Sequence, residues 1–255
     1  MISRRVLLSW LGASAGASAV AAGRPLCAVT GARSANDTRV VNLESFCIAH
    51  GNQNHGTLVH AYLADALLPR MGELHMGPRL CMDAIVAPQT PQAALLAVFS
   101  SFDEMLEVRA RLASSPRVRK ARAELESARV LADVRSHVLV ASRESLRFPA
   151  DLKSFQTGVV EVRSYDAPAW HDGEPARVIT VLGRAGIHPI VNAATAAGEH
   201  IPRFTYVIPF ASLAAREQAW TTLEADPEWI GMQQESAVTV TGKSIYKLAP
   251  YSALG

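Results

Sequence analysis

The chain has 255 residues, of which 49% are hydrophobic and 19% charged, with a formal net charge of +2. These are the values of an ordinary globular protein, and the length suffices for one large or two small domains. The most basic patch, between Arg117 and Arg122, would spread around a helix. A solvated helix surface explains that patch, so we expect no nucleic-acid binding.

The first residues differ in character from the rest. Ser3-Arg4-Arg5, followed by a weakly apolar run from Leu11 to Ala22, resembles a twin-arginine export signal with a small-residue cleavage site. The run is too short and too Ala-rich for a membrane span. We therefore predict a signal peptide over residues 1–23, a disordered leader over 24–38, a periplasmic location and no integral membrane segment in the mature chain. The alternative is a frayed cytosolic N-terminus.

Hydrophobic periodicity and turn residues predict the elements that follow the leader. They are a strand from Arg39, a helix over 57–74 kinked at Pro69, strands over 78–87 and 93–100, a helix over 102–113, a second helix restarted by Ser115-Pro116, and a strand over 134–141. The later part of the chain repeats this order. Its elements are strands over 159–165, 190–195, 203–210 and 244–248, a helix over 174–186, and two helices opened by Ser212 and Asp226-Pro227.

The β-α-β-β-α-β order, found twice, is that of the ferredoxin-like unit. Pro116 and Pro227 are 111 positions apart, and so are Phe99 and Phe210, whereas Phe46 and Tyr165 are 119 apart. The second copy is therefore shorter, and we expect its first helix or the preceding loop to lose roughly two turns. The predicted domains are residues 39–142 and 158–255, joined by a linker over 143–157.

Three motifs of the second copy resemble the NIPSNAP family. They are Glu161–Tyr165, the strand-to-helix stretch Arg203–Trp229 with its Asp-Pro-Glu-Trp ending, and Leu248–Ser252. The first copy departs further from these motifs. The resemblance implies an α+β fold, with two tandem ferredoxin-like (βαββαβ) domains packed sheet to sheet as an intrachain dimeric α+β barrel. It implies no catalytic residues, because none are established in the family.

The first strand of each copy supplies the predicted ligand-lining residues. Side chains alternate along a strand, which separates Val41, Leu43 and Ser45 from their neighbours. We expect that apolar face to pack under the helices, so that the opposite face points between the two sheets. That opposite face consists of Asn42, Glu44 and Phe46, with Glu161, Arg163 and Tyr165 at the matching positions of the second copy.

Glu44 matches Arg163 and carries the opposite charge, so we predict that the two meet inside the barrel. The alternative is that each is satisfied within its own sheet or solvated at a barrel mouth.

Other candidate groups have simpler explanations. His50, His55 and His60 are spaced by five residues and would diverge on a helix, so polar loop or surface positions are favoured over a metal site. Cys47 and Cys81 fall on strands that are not neighbours, which predicts no disulfide. Trp220 and Trp229 fit helix-to-sheet packing better than a ligand platform. We predict no metal and no cofactor.

Three classes of function remain open. The first is a non-catalytic exported module that binds a small apolar ligand or a protein partner, which includes a homo-oligomer. The second is a small oxygenase or haem-handling enzyme of the dimeric α+β barrel superfamily, which would need convergent titratable groups in the barrel. The third is a structural scaffold with a filled barrel.

Overall fold

The structure is a computed structural model that describes residues 37–51, 54–166, 174–198, 201, 203–235 and 239–254. The predicted signal peptide and nearly all of the predicted leader lie outside these residues. Within the described residues, no helix has the length and the apolar character needed to cross a membrane.

Eight antiparallel strands form one closed barrel. The strands are β1 (Thr38–Ile48), β2 (Arg79–Val86), β3 (Gln92–Phe99), β4 (Leu131–Ser142), β5 (Val159–Asp166), β6 (Val191–Ala197), β7 (Arg203–Phe210) and β8 (Thr239–Leu248). Around the barrel they follow the order β1-β3-β2-β8-β5-β7-β6-β4.

Helices connect the strands. They are α1 (Asn54–Ala61), a π-helical segment (Tyr62–Leu67), α2 (Leu68–Leu74), α3 (Phe102–Ser114), α4 (Pro116–Ser127), a short 3-10 helix (Arg143–Ser145), α5 (Lys153–Gln156), α6 (Glu174–Arg184), α7 (Leu213–Glu224) and α8 (Pro227–Glu235). The π-helical segment directly precedes α2, which has Pro69 in its first turn. Proline cannot donate a helical hydrogen bond, so a change of hydrogen-bond pattern there is expected. At 11 residues, α6 is much shorter than the helix over 54–74, as predicted.

Residues 37–142, called the first half, and residues 158–254, called the second half, have the same strand order. It is β4-β1-β3-β2 in the first half and β8-β5-β7-β6 in the second. The pairing register also agrees between the halves. Asn42 of β1 lies opposite Ala97 of β3, and the residues at the matching positions of the second half, Glu161 and Ile208, lie opposite each other as well. The fold is therefore mixed α+β, as predicted. β3 separates β1 from β2, and Cys47 and Cys81 are buried free thiols on those two strands.

The barrel interior is an apolar core shared by both halves. The halves join along β2–β8 and β4–β6. One cluster of buried side chains combines residues of the first half with residues of the second, among them Val41, Leu43, Leu96, Leu139, Val160, Val162 and Val207. Two further clusters lie between the barrel and the helices, one in each half.

Residues 143–157, the predicted linker, contain short helices and pack against the barrel. They contain the 3-10 helix and α5, and Leu146 forms an isolated bridge with Val191. Leu152 is buried, and Phe148 and Phe155 pack against the interior cluster. The segment has no hydrophobic period because it contributes single side chains to the barrel core.

Candidate functional site

A cavity of about 470 Å³ lies on the helix side of the barrel in the first half. We call it the first-half cavity. Its walls come from β1, β3, β4, the helix over 54–74, α3 and α4. The lining residues are Asn42, Glu44, Phe46, Tyr62, Leu67, Met71, Phe99, Arg109, Leu112, Ala113, Val118, Arg119, Arg122, Ala123, Glu126 and Val134.

The helix boundaries that position this cavity follow from local sequence. Ser101 precedes α3, and its hydroxyl accepts a hydrogen bond from the Glu104 amide at 3.1 Å. Ser115 ends α3 and Pro116 begins α4, so the chain turns between two helices with one residue. Proline suits a first helical position because its missing amide would have no partner there. This turn places α3 and α4 side by side over β1.

The inner wall of the cavity is apolar and aromatic. Phe46, Tyr62 and Phe99 are all buried, and the rings of Phe46 and Tyr62 meet edge to face with centroids 6.3 Å apart. Burial raises the pKa of the Tyr62 hydroxyl, while Arg122 acts in the opposite direction. Tyr62 is therefore a neutral phenol at physiological pH, and it presents a hydrogen-bonding group within an apolar wall.

The mouth of the cavity is charged. Arg109 donates to Glu44 at 2.8 Å, and Arg122 donates to Glu126 at 3.1 Å. Arg119 lies one turn before Arg122 on α4 and is exposed. Within the part of the chain that the structure describes, the Arg119 guanidinium has no ion-pair or hydrogen-bond partner. The mouth thus holds three cations and two carboxylates, and one cation remains uncompensated.

The corresponding region of the second half is filled by a buried polar cluster. The carboxylate of Glu161 is 0% exposed and accepts hydrogen bonds at 2.8 Å from Arg216 and from the Trp220 indole. Arg163 lies 3.6 Å from the second oxygen of Glu161, and its guanidinium carbon is 3.7 Å from the centroid of the Trp220 ring. Burying such a carboxylate is tolerable only because it is paired and hydrogen-bonded.

The difference between the halves follows from side-chain size. At a spacing of 111 positions, Arg109 matches Trp220 and Val118 matches Trp229. On the neighbouring strands, Leu95 and Ala97 match Tyr206 and Ile208. Trp220 and Trp229 pack in the helix-side core, as the sequence predicts. The smaller residues of the first half leave the space that those rings occupy in the second.

The prediction about the faces of the first strands is wrong. Val41, Leu43, Val160 and Val162 point into the barrel, whereas Phe46 and Tyr165 pack against helices. The barrel interior is enclosed by both halves and takes the more apolar face, and it contains a cavity of about 270 Å³ that is lined in part by polar side chains such as Gln92 and Thr205. The helix side is open at its edges, where helix arginines can pair with carboxylates.

The predicted pair between Glu44 and Arg163 does not form either. Glu44 pairs with Arg109 of its own half, and Arg163 pairs with Glu161 of its own half. Asn42, Glu44 and Phe46 do lie together in one cavity wall. Glu161, Arg163 and Tyr165 lie together in the filled region of the second half, so the six predicted residues form two groups rather than one.

Five polar residues of the cavity lining were not predicted from the sequence: Tyr62, Arg109, Arg119, Arg122 and Glu126. Arg119 and Arg122 belong to the basic patch that the sequence analysis assigned to a solvated helix surface. A residue-by-residue comparison of the two halves would have indicated the cavity, because two tryptophans of the second half are replaced by Arg109 and Val118.

The three histidines have separate environments. His55 is buried, and its Nδ1 lies 2.9 Å from the carbonyl oxygen of Ala49. The ring of His60 lies between the Asp83 carboxylate, at 3.1 Å, and the Tyr251 hydroxyl, at 2.5 Å. The expectation of loop or surface positions is therefore wrong for His55. No cluster of three metal-ligating side chains occurs among the described residues.

Comparisons with known proteins give a family match in the second half and structural matches over most of the chain. A family model described as NIPSNAP matches residues 160–253. No curated protein matches the chain.

Three solved structures resemble the chain over most of its length. One is a proposed chlorite dismutase with 13% sequence identity and a TM-score of 0.53. The match covers 84% of this chain and 96% of that one. A proposed monooxygenase from Fusobacterium nucleatum has 8% identity and a TM-score of 0.50, with coverage of 86% of this chain and 94% of that one. A heme-binding protein from Thermus thermophilus has 13% identity and a TM-score of 0.50, with coverage of 84% and 92%. At these identities the likeness shows the fold alone, a mixed α+β fold whose neighbours are of the dimeric α+β barrel type.

Proposed function

We propose that this chain is a binding module that holds a small, largely apolar molecule in the first-half cavity. The observation that carries the proposal is a cavity of about 470 Å³ with a buried aromatic inner wall and a charged mouth. Ligand pockets of proteins have this size and this combination of apolar walls with a few polar groups. Both carboxylates at the mouth are paired with arginines, which suits binding better than a nucleophile activated by a base.

A haem is not part of this proposal, although one structural neighbour is a heme-binding protein. Haem iron is held by a histidine, cysteine, methionine or tyrosine side chain. The described lining has no histidine or cysteine, and burial keeps the Tyr62 hydroxyl protonated by raising its pKa. Met71 is the other side chain of a suitable type, so the cavity fits haem poorly.

The proposal includes a tandem origin for the two halves. Shared strand order, shared register and the constant spacing of 111 positions between β3 and β7 support two copies of one ferredoxin-like unit. In this view the second copy keeps a filled core, and the first copy has diverged into the ligand-binding one.

Filling the cavity tests the proposal. The variant Val118→Trp places in the first half the side chain that Trp229 supplies in the second, so we expect it to fold and to bind a neutral apolar probe, methyl decanoate, at least about tenfold more weakly by calorimetry. Val86→Trp is the matched control, because Val86 is exposed and is not part of the lining. If Val118→Trp fails to fold, Ala123→Phe narrows the same cavity from its mouth. Unchanged binding in a folded filling variant refutes the proposal, and so does a wild-type protein that binds neither this probe nor its free acid, decanoate.

The site of action that we propose is the periplasm. The support is Ser3-Arg4-Arg5 with the Ala-rich run that follows, which lies outside the described residues. A reporter fused behind residues 1–30 should be exported, and changing Arg4 and Arg5 to Lys should abolish export. Export that survives this double change would contradict the twin-arginine route.

A further inference from the structure

The first-half cavity has an asymmetric mouth, and the asymmetry indicates the chemistry of its ligand. Arg109 and Glu44 form one ion pair, and Arg122 and Glu126 form another. Arg119 contributes a third cation to the same mouth without a partner among the described residues. A neutral apolar ligand would leave this charge imbalance as it is.

The position of Arg119 on α4 also favours an anionic group in the ligand. Arg119 and Arg122 are three residues apart on α4, so their side chains are neighbours on one face of the helix. Like charges at this spacing destabilise a helix slightly, and an anion placed between them removes that penalty. Arginine also recognises carboxylates through two parallel hydrogen bonds, a geometry that favours a planar anionic group.

We infer that the ligand of the first-half cavity is an amphipathic carboxylate, with its apolar body against Phe46, Tyr62 and Phe99 and its carboxylate at Arg119. This inference rests on the proposed function and adds the class of ligand. The body of the ligand accounts for the aromatic wall, and its charge compensates the cation of the mouth that has no partner among the described residues. Tyr62 and Arg122 also line the cavity, and the Tyr62 hydroxyl and the Arg122 guanidinium are groups that can donate to a carboxylate.

The test compares a carboxylate with its uncharged ester in the whole protein. Calorimetry with decanoate and with methyl decanoate separates the charged contact from the apolar one. We expect decanoate to bind more tightly than methyl decanoate and to weaken as salt is added, because salt screens exposed charges. In Arg119→Gln, decanoate should bind about tenfold more weakly, which is the scale of one charge-assisted hydrogen bond, while methyl decanoate should bind as before.

Lys120→Gln is the matched control. Lys120 is the next residue on α4 and carries the same charge, but it is not part of the cavity lining. Its loss should leave decanoate binding within about twofold of wild type, because an exposed charge outside the site is largely screened.

Each outcome has one meaning. Equal binding of acid and ester, with no effect of Arg119→Gln, overturns this inference and leaves the proposed function standing. Equal weakening in Arg119→Gln and Lys120→Gln also overturns it, because the effect would then come from the general field of the helix. Binding of neither probe refutes the proposed function itself. Tighter binding of decanoate that depends on Arg119 alone supports both.

Discussion

Glu44 and Glu161 show how the same chemical group takes two roles in one barrel. Glu44 lies at the mouth of a cavity, and its partner Arg109 has a side chain that is 42% exposed. Glu161 has no exposure and lies among Arg163, Arg216 and Trp220. Water can replace a lost partner in the first case and cannot in the second, so the two carboxylates should differ greatly in what their removal costs.

Neutralising Glu161 should therefore destabilise the protein strongly. Glu161→Gln removes the buried anion that Arg163 and Arg216 share and leaves Arg216 only its exposed partner Glu217, so the free energy of unfolding should fall by about 3–5 kcal/mol. Glu44→Gln is the control, because it breaks an ion pair at the cavity mouth in which Arg109 is 42% exposed and Glu44 is 17% exposed, and it should cost about 0–1 kcal/mol. Urea unfolding measures both. Equal losses for the two variants would show that the buried cluster is not held by its carboxylate.

A second residue, Glu104, should make stability depend on pH. Burial acts to raise the pKa of Glu104, but hydrogen bonds from Ser100 and His75 outweigh it, and the pKa is lowered from the ordinary value of 4.5. A lowered pKa means that the folded state binds protons less readily than the unfolded state. The stabilisation is therefore present above the ordinary value and is lost as the pH falls through the lowered one.

Melting temperatures measured from about pH 7 to about pH 3 test this dependence. Wild type should melt above Glu104→Gln at neutral pH, and the gap should close below the ordinary value of 4.5. Glu107→Gln provides the comparison, because Glu107 is on the same helix in an exposed pair with Arg111. A gap that stays constant across the pH range would argue against the role of the Glu104 charge.

At the scale of elements, the packing of α3 and α4 over the barrel differs from that of α7 and α8. Both pairs turn at a proline, and both first helices begin after a serine cap. The pairs differ in the side chains that they carry at matching positions: Arg109 and Val118 in the first half, Trp220 and Trp229 in the second. The backbone arrangement is thus common to both halves, and side-chain volume decides whether a cavity forms.

Removing one tryptophan should open a cavity in the second half. Trp229 is 7% exposed, and Trp229→Val should lower the free energy of unfolding by about 3–5 kcal/mol, as large-to-small core changes do. The neighbouring change Ile230→Val, at a residue 41% exposed, should alter stability by less than about 0.5 kcal/mol. Chemical unfolding of both variants gives the comparison. If Trp229→Val lowers the free energy of unfolding by less than about 1 kcal/mol, the effect is on the order of a surface change. The helix-side core of the second half would then have collapsed around the missing ring.

The elements themselves were largely predictable from the sequence. The cap-and-proline pattern of Ser115-Pro116 placed the start of α4, and alternation placed β7 over the same residues that the structure has. The boundaries of β4 and β8 were too short by several residues, because both strands extend into exposed, polar ends without a hydrophobic period. Fraying ends of this kind carry little signal in a single sequence.

At the scale of the whole molecule, the closed barrel explains why the sequence did not reveal which face of β1 points into the interior. Both faces of that strand are buried, since Val41 contacts the barrel interior while Val40 contacts the helix layer. Alternation separates the two faces but does not say which one lies inside. That choice depends on the closure of eight strands from two halves, a long-range property. The cavity depends on it in turn, because only outward-facing residues can line a space beneath the helices.

The shared interior predicts that the two halves unfold together. The first half alone would expose the apolar face that includes Leu43 and Leu139. The second half alone would expose the face that includes Val162 and Val207. Because this surface is buried only when both halves are folded, the halves should lose structure in a single cooperative transition.

Two probes built into the chain can follow the halves separately. Cys47 and Cys81 are buried in the first half, and burial raises the pKa of both thiols, so they should react with a thiol reagent only after unfolding. Trp220 and Trp229 report on the second half by fluorescence. With Trp10 and Trp170 changed to Phe and Cys27 to Ser, thiol exposure and fluorescence should give the same urea midpoint within error. Two distinct midpoints would mean that each half keeps its fold without the other, and the interior cluster would then contribute less to stability than its burial indicates.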